Sequence, residues 1–196
     1  MSLNDQTRLD RQHQLGTADQ PSSFLREVLE CNGWRIPPGL ALDIATGKGR
    51  NARFLAERGF TVTGIDVSSV ALEEARRRSA ETSLQITWVR ADLEQMQLPR
   101  AAYDLIVNLN YLQRSLIPHI KKSLKAGGHL IFETFLIDQQ AVGRPKNPAY
   151  LLQHNELLDF FRDFRVLCYR EGKFTEKGEA AFRAGIFARK IVRDET

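Results

Sequence analysis

The chain has 196 residues, of which 42% are hydrophobic and 27% charged, with a formal net charge of +4. This composition is that of an ordinary globular domain and argues against a wholly disordered chain. No apolar run approaches the roughly 18 residues that cross a bilayer. The two cysteines, Cys31 and Cys168, are too few for a disulfide framework or a four-ligand zinc site, so we expect a cytoplasmic protein.

The N-terminal part of the chain is polar. Residues 1–20 contain no apolar stretch typical of a signal peptide or a membrane anchor. We therefore predict a partly mobile leader over residues 1–20 and a single domain over residues 21–196. A helix is predicted to begin near Ser22, because apolar residues at helical spacing follow it.

After residue 39, apolar segments of strand type alternate with segments of helical periodicity. The predicted strands cover residues 40–44, 60–66, 86–92, 103–108 and 129–135. The predicted helices cover residues 51–58, a segment from a cap at Ser68 or Ser69 to about Ser79, and residues 117–124. Strands that are apolar on both faces and alternate with helices predict an α/β fold, with a doubly wound, mostly parallel sheet covered on both sides.

Polar side chains stand at or near the ends of four predicted strands. These residues are Asp43, Asp66, Asp92 and Asn108. Ligands bind at the carboxyl ends of the strands in sheets of this kind. We therefore expect the four side chains to converge on one edge of the sheet and to form a binding site there.

A glycine-containing loop follows the first of these acids and reads Asp-Ile-Ala-Thr-Gly-Lys-Gly-Arg-Asn over residues 43–51. Gly47 and Gly49 allow the backbone to approach a ligand closely. The next helix begins near Asn51, so its N–H groups should face the same pocket. A dinucleotide fingerprint would place its third glycine at Ala52, a position that tolerates alanine, so the loop alone leaves nicotinamide cofactors open.

The acids separate the two interpretations of the loop. Asp43 would repel a pyrophosphate and favours a ligand that carries an ammonium or sulfonium group. Asp66, 23 residues further on, can accept hydrogen bonds from two ribose hydroxyls. Asp92 can accept one from the exocyclic amine of adenine.

Five segments together resemble the class I S-adenosylmethionine-dependent methyltransferases. They read LDIATGKGRN, GIDVSS, ADLEQMQLP, YDLIVNLNYL and LKAGGHLIFETF, and cover roughly residues 40–136. The segments GRNARFLAERGFTVTGIDVSSVAL and GRPKNPAYLLQHNELLDFF further resemble the small bacterial methyltransferases of the tellurite-resistance type. The resemblance implies a Rossmann-like, seven-stranded sheet that ends in an antiparallel hairpin. Residues 164–170 and 184–192 are the segments expected to form that hairpin.

The resemblance also implies S-adenosyl-L-methionine as cofactor and S-adenosyl-L-homocysteine as product. The residues implied in cofactor binding are Asp43, Ala45, Thr46, Gly47, Gly49, Asn51, Asp66, Val67, Ser68, Asp92, Leu93 and Asn108. One departure is Ala45, which replaces the first glycine of the usual loop and trims the space beside the cofactor.

The methyl acceptor is expected to be a small molecule, either a soft nucleophile such as a thiol or an oxyanion of the tellurite or selenite type. Weak candidates for a catalytic role are Tyr111, Glu133 and Arg144, and no metal site is expected. Arg144 and Lys146, in the segment GRPKNP, could clamp an anionic acceptor. His119 and His129 are expected to be structural.

Two other functions share part of this pattern. An RNA or protein methyltransferase would use the same cofactor site, although residues 108–111 read Asn-Leu-Asn-Tyr instead of the Asn-Pro-Pro-Tyr common in base-nitrogen methylases. A nicotinamide-dependent reductase would share the loop but would tolerate Asp43 poorly. The sequence predicts neither a membrane partner nor an oligomeric state.

Overall fold

The computed structural model describes residues 20–31, 35–80, 82, 84–176 and 178–191. The predicted leader lies outside the described residues except for Gln20. The chain forms two compact units, Met1–Gln97 and Leu98–Thr196. The single domain over residues 21–196 stays a prediction.

Over its described residues, the first unit has three helices and three parallel strands. Its helices are α1 (Ser23–Arg26, continued by a π-helical turn over Glu27–Cys31), α2 (Arg50–Ala56) and α3 (Ser69–Ala80). Its strands are β1 (Leu40–Ile44), β2 (Thr61–Asp66) and β3 (Ile86–Arg90). Strand β2 lies in the middle and pairs in parallel with both β1 and β3.

Burial explains why these segments form strands and helices. In β1, Ala41, Leu42 and Ile44 are fully buried, as expected for a strand covered on both faces. Helix α3 begins where predicted, because the buried Ser68 side chain accepts a hydrogen bond from the N–H of Ala71 (3.1 Å). Burial of these side chains holds the strands in the core. The loop that follows each strand then begins at the strand's carboxyl end.

The described part of the second unit has four strands and three short helices. Its strands are β4 (Tyr103–Leu109), β5 (Leu124–Phe135), β6 (Phe164–Glu176) and β7 (Glu179–Lys190). Its helices are α4 (Ile117–Ser123), α5 (Gln139–Val142) and α6 (Glu156–Phe160), with 3₁₀ turns at Arg114–Leu116 and Pro148–Tyr150. Strand β5 pairs with β4 in parallel and with β7 antiparallel, and β6 pairs antiparallel with β7.

These seven strands, mostly parallel and ending in an antiparallel pair, confirm the predicted fold class. The hairpin differs in extent from the prediction. Residues 171–183, expected to form a connection, belong mostly to β6 and β7, and Gly178 (φ 83°) lies in the turn between them. The sequence did not predict these strand residues because the stretch is rich in polar side chains, and antiparallel strands can carry polar residues on their outer face.

Strand β5 also begins earlier than predicted. It starts at Leu124, and the register shifts against β4 before regular pairing resumes at His129. None of the helices in the described ranges combines the length and the apolar character needed to cross a bilayer.

Candidate active site

The loop between β1 and α2 is built on three residues with positive φ. Ala45, Gly47 and Gly49 have φ angles of 52°, 57° and 75°. Glycine adopts this region without strain, whereas alanine pays about 1–2 kcal/mol. Two backbone bonds hold the loop, from Thr46 N to Ile65 O (2.9 Å) and from Gly49 N to Thr46 O (3.0 Å). The loop is therefore a defined turn at the carboxyl end of β1.

Asp43 is one of the two buried acids beside this loop. Its residue is 1% exposed, and one carboxylate oxygen accepts a hydrogen bond of 2.5 Å from Oγ1 of Thr46. Burial raises the pKa of Asp43 to about 7, and the nearby Asp66 carboxylate adds to the rise. The bond from Thr46 and the positive charge of Arg50 oppose it. Asp43 is therefore poised to lose its proton when a cation arrives beside it.

Asp66 joins the loop to the end of β2. Its Oδ2 accepts from the N–H of Gly47 (2.8 Å), and its Oδ1 accepts from the N–H of Ser68 (2.9 Å). Each carboxylate oxygen has two lone pairs, so each can accept a second hydrogen bond. Val67 lies between Asp66 and Ser68 in the sequence. This geometry suits a carboxylate that receives two neighbouring hydroxyls while the backbone holds it in place.

Asp92 lies two residues beyond β3. Its carboxylate accepts from the N–H of Glu94 (3.0 Å) and from Nε2 of Gln95 (3.3 Å), so it caps a turn. Leu93, beside it, is 6% exposed. The predicted contact of Asp92 with an adenine amine stays a prediction.

Asn51, in the first turn of α2, has a contact that the sequence did not suggest. Its side-chain oxygen accepts from the N–H of Ser22 at 2.9 Å. Asn51 is 6% exposed and ties the start of α1 to the start of α2. The structure thus gives Asn51 a partner within the protein, and its role in cofactor binding stays a prediction.

In the second unit, Asn108 is buried at the end of β4. Its amide donates to the carbonyl oxygen of Tyr111 (2.7 Å), and the Tyr111 hydroxyl donates to the side chain of Gln113 (2.6 Å). Asn108 therefore shapes the turn after β4. Cofactor binding by Asn108 and a catalytic role of Tyr111 stay predictions.

Glu133, on β5, is buried among arginines. Its Oε1 accepts from Nη2 and Nε of Arg170 at 2.6 and 3.0 Å, and its Oε2 lies 3.9 Å from Nη1 of Arg183. The same Nη1 donates to the side chain of Asn110 (2.7 Å). Glu133 and Arg170 both lie opposite Gly185 in the sheet register, so no side chain of β7 separates them.

Sequence reasoning missed Arg170 and Arg183. Arg170 fell in a predicted strand without a predicted role, and Arg183 fell in the predicted connection. The one signal in the sequence was a strand-forming segment that contains both a glycine and an arginine, at Arg183 and Gly185. An arginine inside a strand of a buried sheet needs a carboxylate beside it, because a buried charge without a partner is strongly destabilising.

The GRPKNP segment is mostly exposed and is held by hydrogen bonds from side chains to backbone carbonyl oxygens. Nε2 of Gln139 donates to the carbonyl oxygen of Arg144 (3.1 Å), and Gln140 and Lys146 bond to each other's carbonyl oxygens. Arg144 and Lys146 are both exposed. Their predicted role as an anion clamp stays a prediction. His119 is exposed, and His129 stacks on Phe187 with ring centroids 5.7 Å apart.

Comparison with known proteins supports the resemblance. Residues 41–128 match the methyltransferase domain family. The ubiquinone biosynthesis O-methyltransferases of Vibrio parahaemolyticus and Alkalilimnicola ehrlichii are 32% and 31% identical to this chain over 99 residues, which is 47% of its length. The chain spans 42% and 40% of those relatives.

Solved structures share the fold over most of the chain. TehB from Haemophilus influenzae superposes with a TM-score of 0.69 at 22% identity, covering 85% of this chain and 65% of TehB. An S-adenosylmethionine-dependent methyltransferase from Mesorhizobium loti gives 0.66 at 22% identity, covering 85% and 95%. One from Aquifex aeolicus gives 0.67 at 18% identity, covering 95% and 99%.

These findings show that residues 41–128 match the methyltransferase domain family and that the chain has the fold of the S-adenosylmethionine-dependent methyltransferases. At these identities the solved structures show the fold alone. The narrower resemblance to the tellurite-resistance type stays a prediction.

Proposed function

We propose that the chain transfers the methyl group of S-adenosyl-L-methionine to a small-molecule acceptor in the cytoplasm. The observation that carries the proposal is the pair of buried carboxylates, Asp43 and Asp66, on one left-handed glycine loop within a matched methyltransferase domain. A pyrophosphate would meet two buried acids there. A cationic nucleoside would find partners for its charge and for its ribose.

The residues present fit this cofactor. Asp43 would face the ammonium or sulfonium charge, and Asp66 would accept from the ribose hydroxyls. Thr46, Gly47 and Gly49 would line the loop, while Val67, Ser68, Asp92 and Leu93 would surround the nucleoside. When bound, S-adenosyl-L-methionine supplies a methyl group already activated by its sulfonium, so the protein has mainly to orient the nucleophile and exclude water.

S-adenosyl-L-homocysteine, the product expected of this reaction, should raise the melting temperature of the protein, whereas NAD and NADP should leave it unchanged. A ligand that binds only the folded state stabilises it by mass action. Differential scanning fluorimetry at matched ligand concentrations measures the shift. A shift with the dinucleotides alone would refute the methyltransferase proposal and support a reductase.

The acceptor is the finer part of the proposal, and we infer that it is small and anionic. Supporting this, the guanidinium group of Arg183 is buried and that of Arg170 is half-buried, and the two share a single carboxylate, Glu133, so the cluster keeps an excess positive charge. Buried guanidinium groups bind planar oxyanions and carboxylates well. The relatives named above as ubiquinone biosynthesis enzymes, and a solved 1,6-didemethyltoxoflavin-N1-methyltransferase from Burkholderia thailandensis (TM-score 0.61), are named for small-molecule acceptors.

Two salt titrations test the acceptor class. Transfer of a labelled methyl group is measured with small thiols and oxyanions in one series and with bulk tRNA in the other. We expect turnover of at least one small acceptor, with weak dependence on salt. Methylation of tRNA alone, falling steeply with added salt as counterion release requires, would overturn the small-molecule proposal.

A further inference from the structure

Trp88 lies beside the glycine loop, although it belongs to β3. In the parallel sheet Asp43 pairs with Gly64, and Gly64 pairs with Trp88. Laterally paired residues of a sheet face the same side. Because Gly64 has no side chain, nothing on β2 separates the Trp88 indole from the side of the sheet on which Asp43 stands.

The indole of Trp88 occupies the space between Gly64 and Gly49, where a side chain of either residue would otherwise lie. A Cβ atom added at Gly64 would lie 2.7 Å from Cζ3 of Trp88 and 3.1 Å from Cγ2 of Thr46. A Cβ atom added at Gly49 would lie 2.3 Å from Cη2 of Trp88. The ring therefore lies against the loop at Gly49 and shares the space over Gly64 with the methyl group of Thr46.

Helix α3 holds the indole in this place. Nε1 of Trp88 donates to Oγ of Ser79 (3.1 Å), and Arg76 donates to the carbonyl oxygen of Trp88 (3.3 Å). Ala75 of the same helix also approaches Gly49. Helix α3 thus fixes the ring through Ser79 and also approaches the loop at Gly49.

We infer that Trp88 is a positioning residue, which holds the turn from Thr46 to Gly49 in its binding shape and keeps water away from the carboxyl group of Asp43. Thr46 is the link, because its methyl group faces the same space as the indole and its hydroxyl donates to Asp43. The functional part of this inference rests on the proposed cofactor.

The charged state of Asp43 reports on this role. Burial is the largest cause of its raised pKa, about 7, and the charged groups that act on it are Arg50 of α2 and Asp66 of β2. Ala52 also donates a backbone hydrogen bond to it. Replacing the indole by a smaller side chain admits water and also loosens the Thr46 hydrogen bond, which by itself would raise the pKa. Because burial outweighs that bond as a cause of the shift, the net effect should be to lower the pKa of Asp43 toward its ordinary value of 3.8.

The first measurement needs no cofactor. Carboxyl ¹³C NMR of aspartate-labelled protein follows the titration of Asp43, assigned with Asp43→Asn, in wild type, Trp88→Phe and Trp88→Leu. We expect a midpoint near pH 7 in wild type and a midpoint at least one pH unit lower in Trp88→Leu. Trp88→Phe, which keeps a ring, should lie between them. An unchanged midpoint in folded Trp88→Leu would overturn the inference.

The second measurement is the affinity for S-adenosyl-L-methionine between pH 5 and pH 7. This range lies below the titration of the ligand's own amino group, near 7.7–8.0. If the cation binds ionised Asp43, wild-type affinity should fall about tenfold per pH unit below the midpoint, since only the ionised fraction binds. In Trp88→Leu the fall should begin at lower pH. A wild type that binds at no pH refutes the proposed function, while the NMR titration still decides the role of Trp88.

Two further variants separate positioning from general destabilisation. Phe60→Leu removes a buried ring of the same unit before β2, and should lower stability without moving the midpoint of Asp43. Gly64→Ala keeps Trp88 but places a methyl group in the space that the indole and the Thr46 methyl group share, so it should move the midpoint of Asp43. A midpoint that Phe60→Leu shifts equally, or that Gly64→Ala leaves in place, would contradict the inference.

Discussion

Asp66→Ala is expected to weaken the binding of S-adenosyl-L-methionine by about ten- to a hundredfold. The variant removes the carboxylate that we propose for the ribose hydroxyls, and hydrogen bonds to a charged group contribute about 1.5–3 kcal/mol. It also removes the acceptor for the N–H groups of Gly47 and Ser68, so the loop loses its link to the end of β2. Isothermal titration calorimetry measures the loss directly.

Glu57→Ala is the matched control for this prediction. Glu57 is an exposed carboxylate of the same unit, at the C-terminal end of α2, away from the glycine loop. We expect the Glu57→Ala variant to bind S-adenosyl-L-methionine with the affinity of the wild-type protein. Unchanged affinity in Asp66→Ala as well would show that the ribose does not bind at Asp66.

Glu133→Ala is expected to lower the free energy of unfolding by about 3–5 kcal/mol. Glu133 is 1% exposed and accepts two hydrogen bonds from Arg170, with Arg183 also close. Removing one partner of a buried ion pair leaves the other charge without compensation in a medium that solvates it poorly. Urea denaturation measures the change, which is a large fraction of the stability of a typical domain.

Glu74→Ala provides the contrast, because Glu74 forms its ion pairs with Arg77 and Arg78 on the surface of α3. Exposed pairs of this kind contribute about 1 kcal/mol or less. Glu133→Gln, which keeps hydrogen-bond acceptors near the arginines, should lose less than Glu133→Ala. A loss below about 1 kcal/mol in Glu133→Ala would mean that the arginines find other partners or water.

The parts of the fold that the sequence could predict are those governed by local pattern. Apolar runs closed by an acid predicted β1 and β2 closely, and a serine before a helical segment predicted the start of α3. The loop acids Asp43 and Asp66 could be placed because a parallel sheet brings its carboxyl ends to one edge. Their hydrogen bonds to Thr46 and Gly47 agree with that placement.

The parts that it could not predict depend on pairing between distant residues. Glu133 and Arg170 are 37 positions apart, and they meet only because Gly185 lies between them in the register. From the sequence alone, Trp88 is only a residue of a predicted strand. Its position against Gly49 follows from the pairing of β3 with β2. The raised pKa of Asp43 likewise follows from burial, which no local pattern reports.

The pairing of β5 with β7 has a consequence for synthesis on the ribosome. Strand β5 is complete once residue 135 has emerged, but its antiparallel partner ends only at residue 190. During that interval the nascent chain exposes an apolar strand edge, the kind of surface that promotes aggregation or recruits chaperones. The hairpin of β6 and β7, whose contacts are local, then closes within microseconds and covers the edge. Translation speed across residues 136–190 therefore sets how long the nascent chain remains vulnerable.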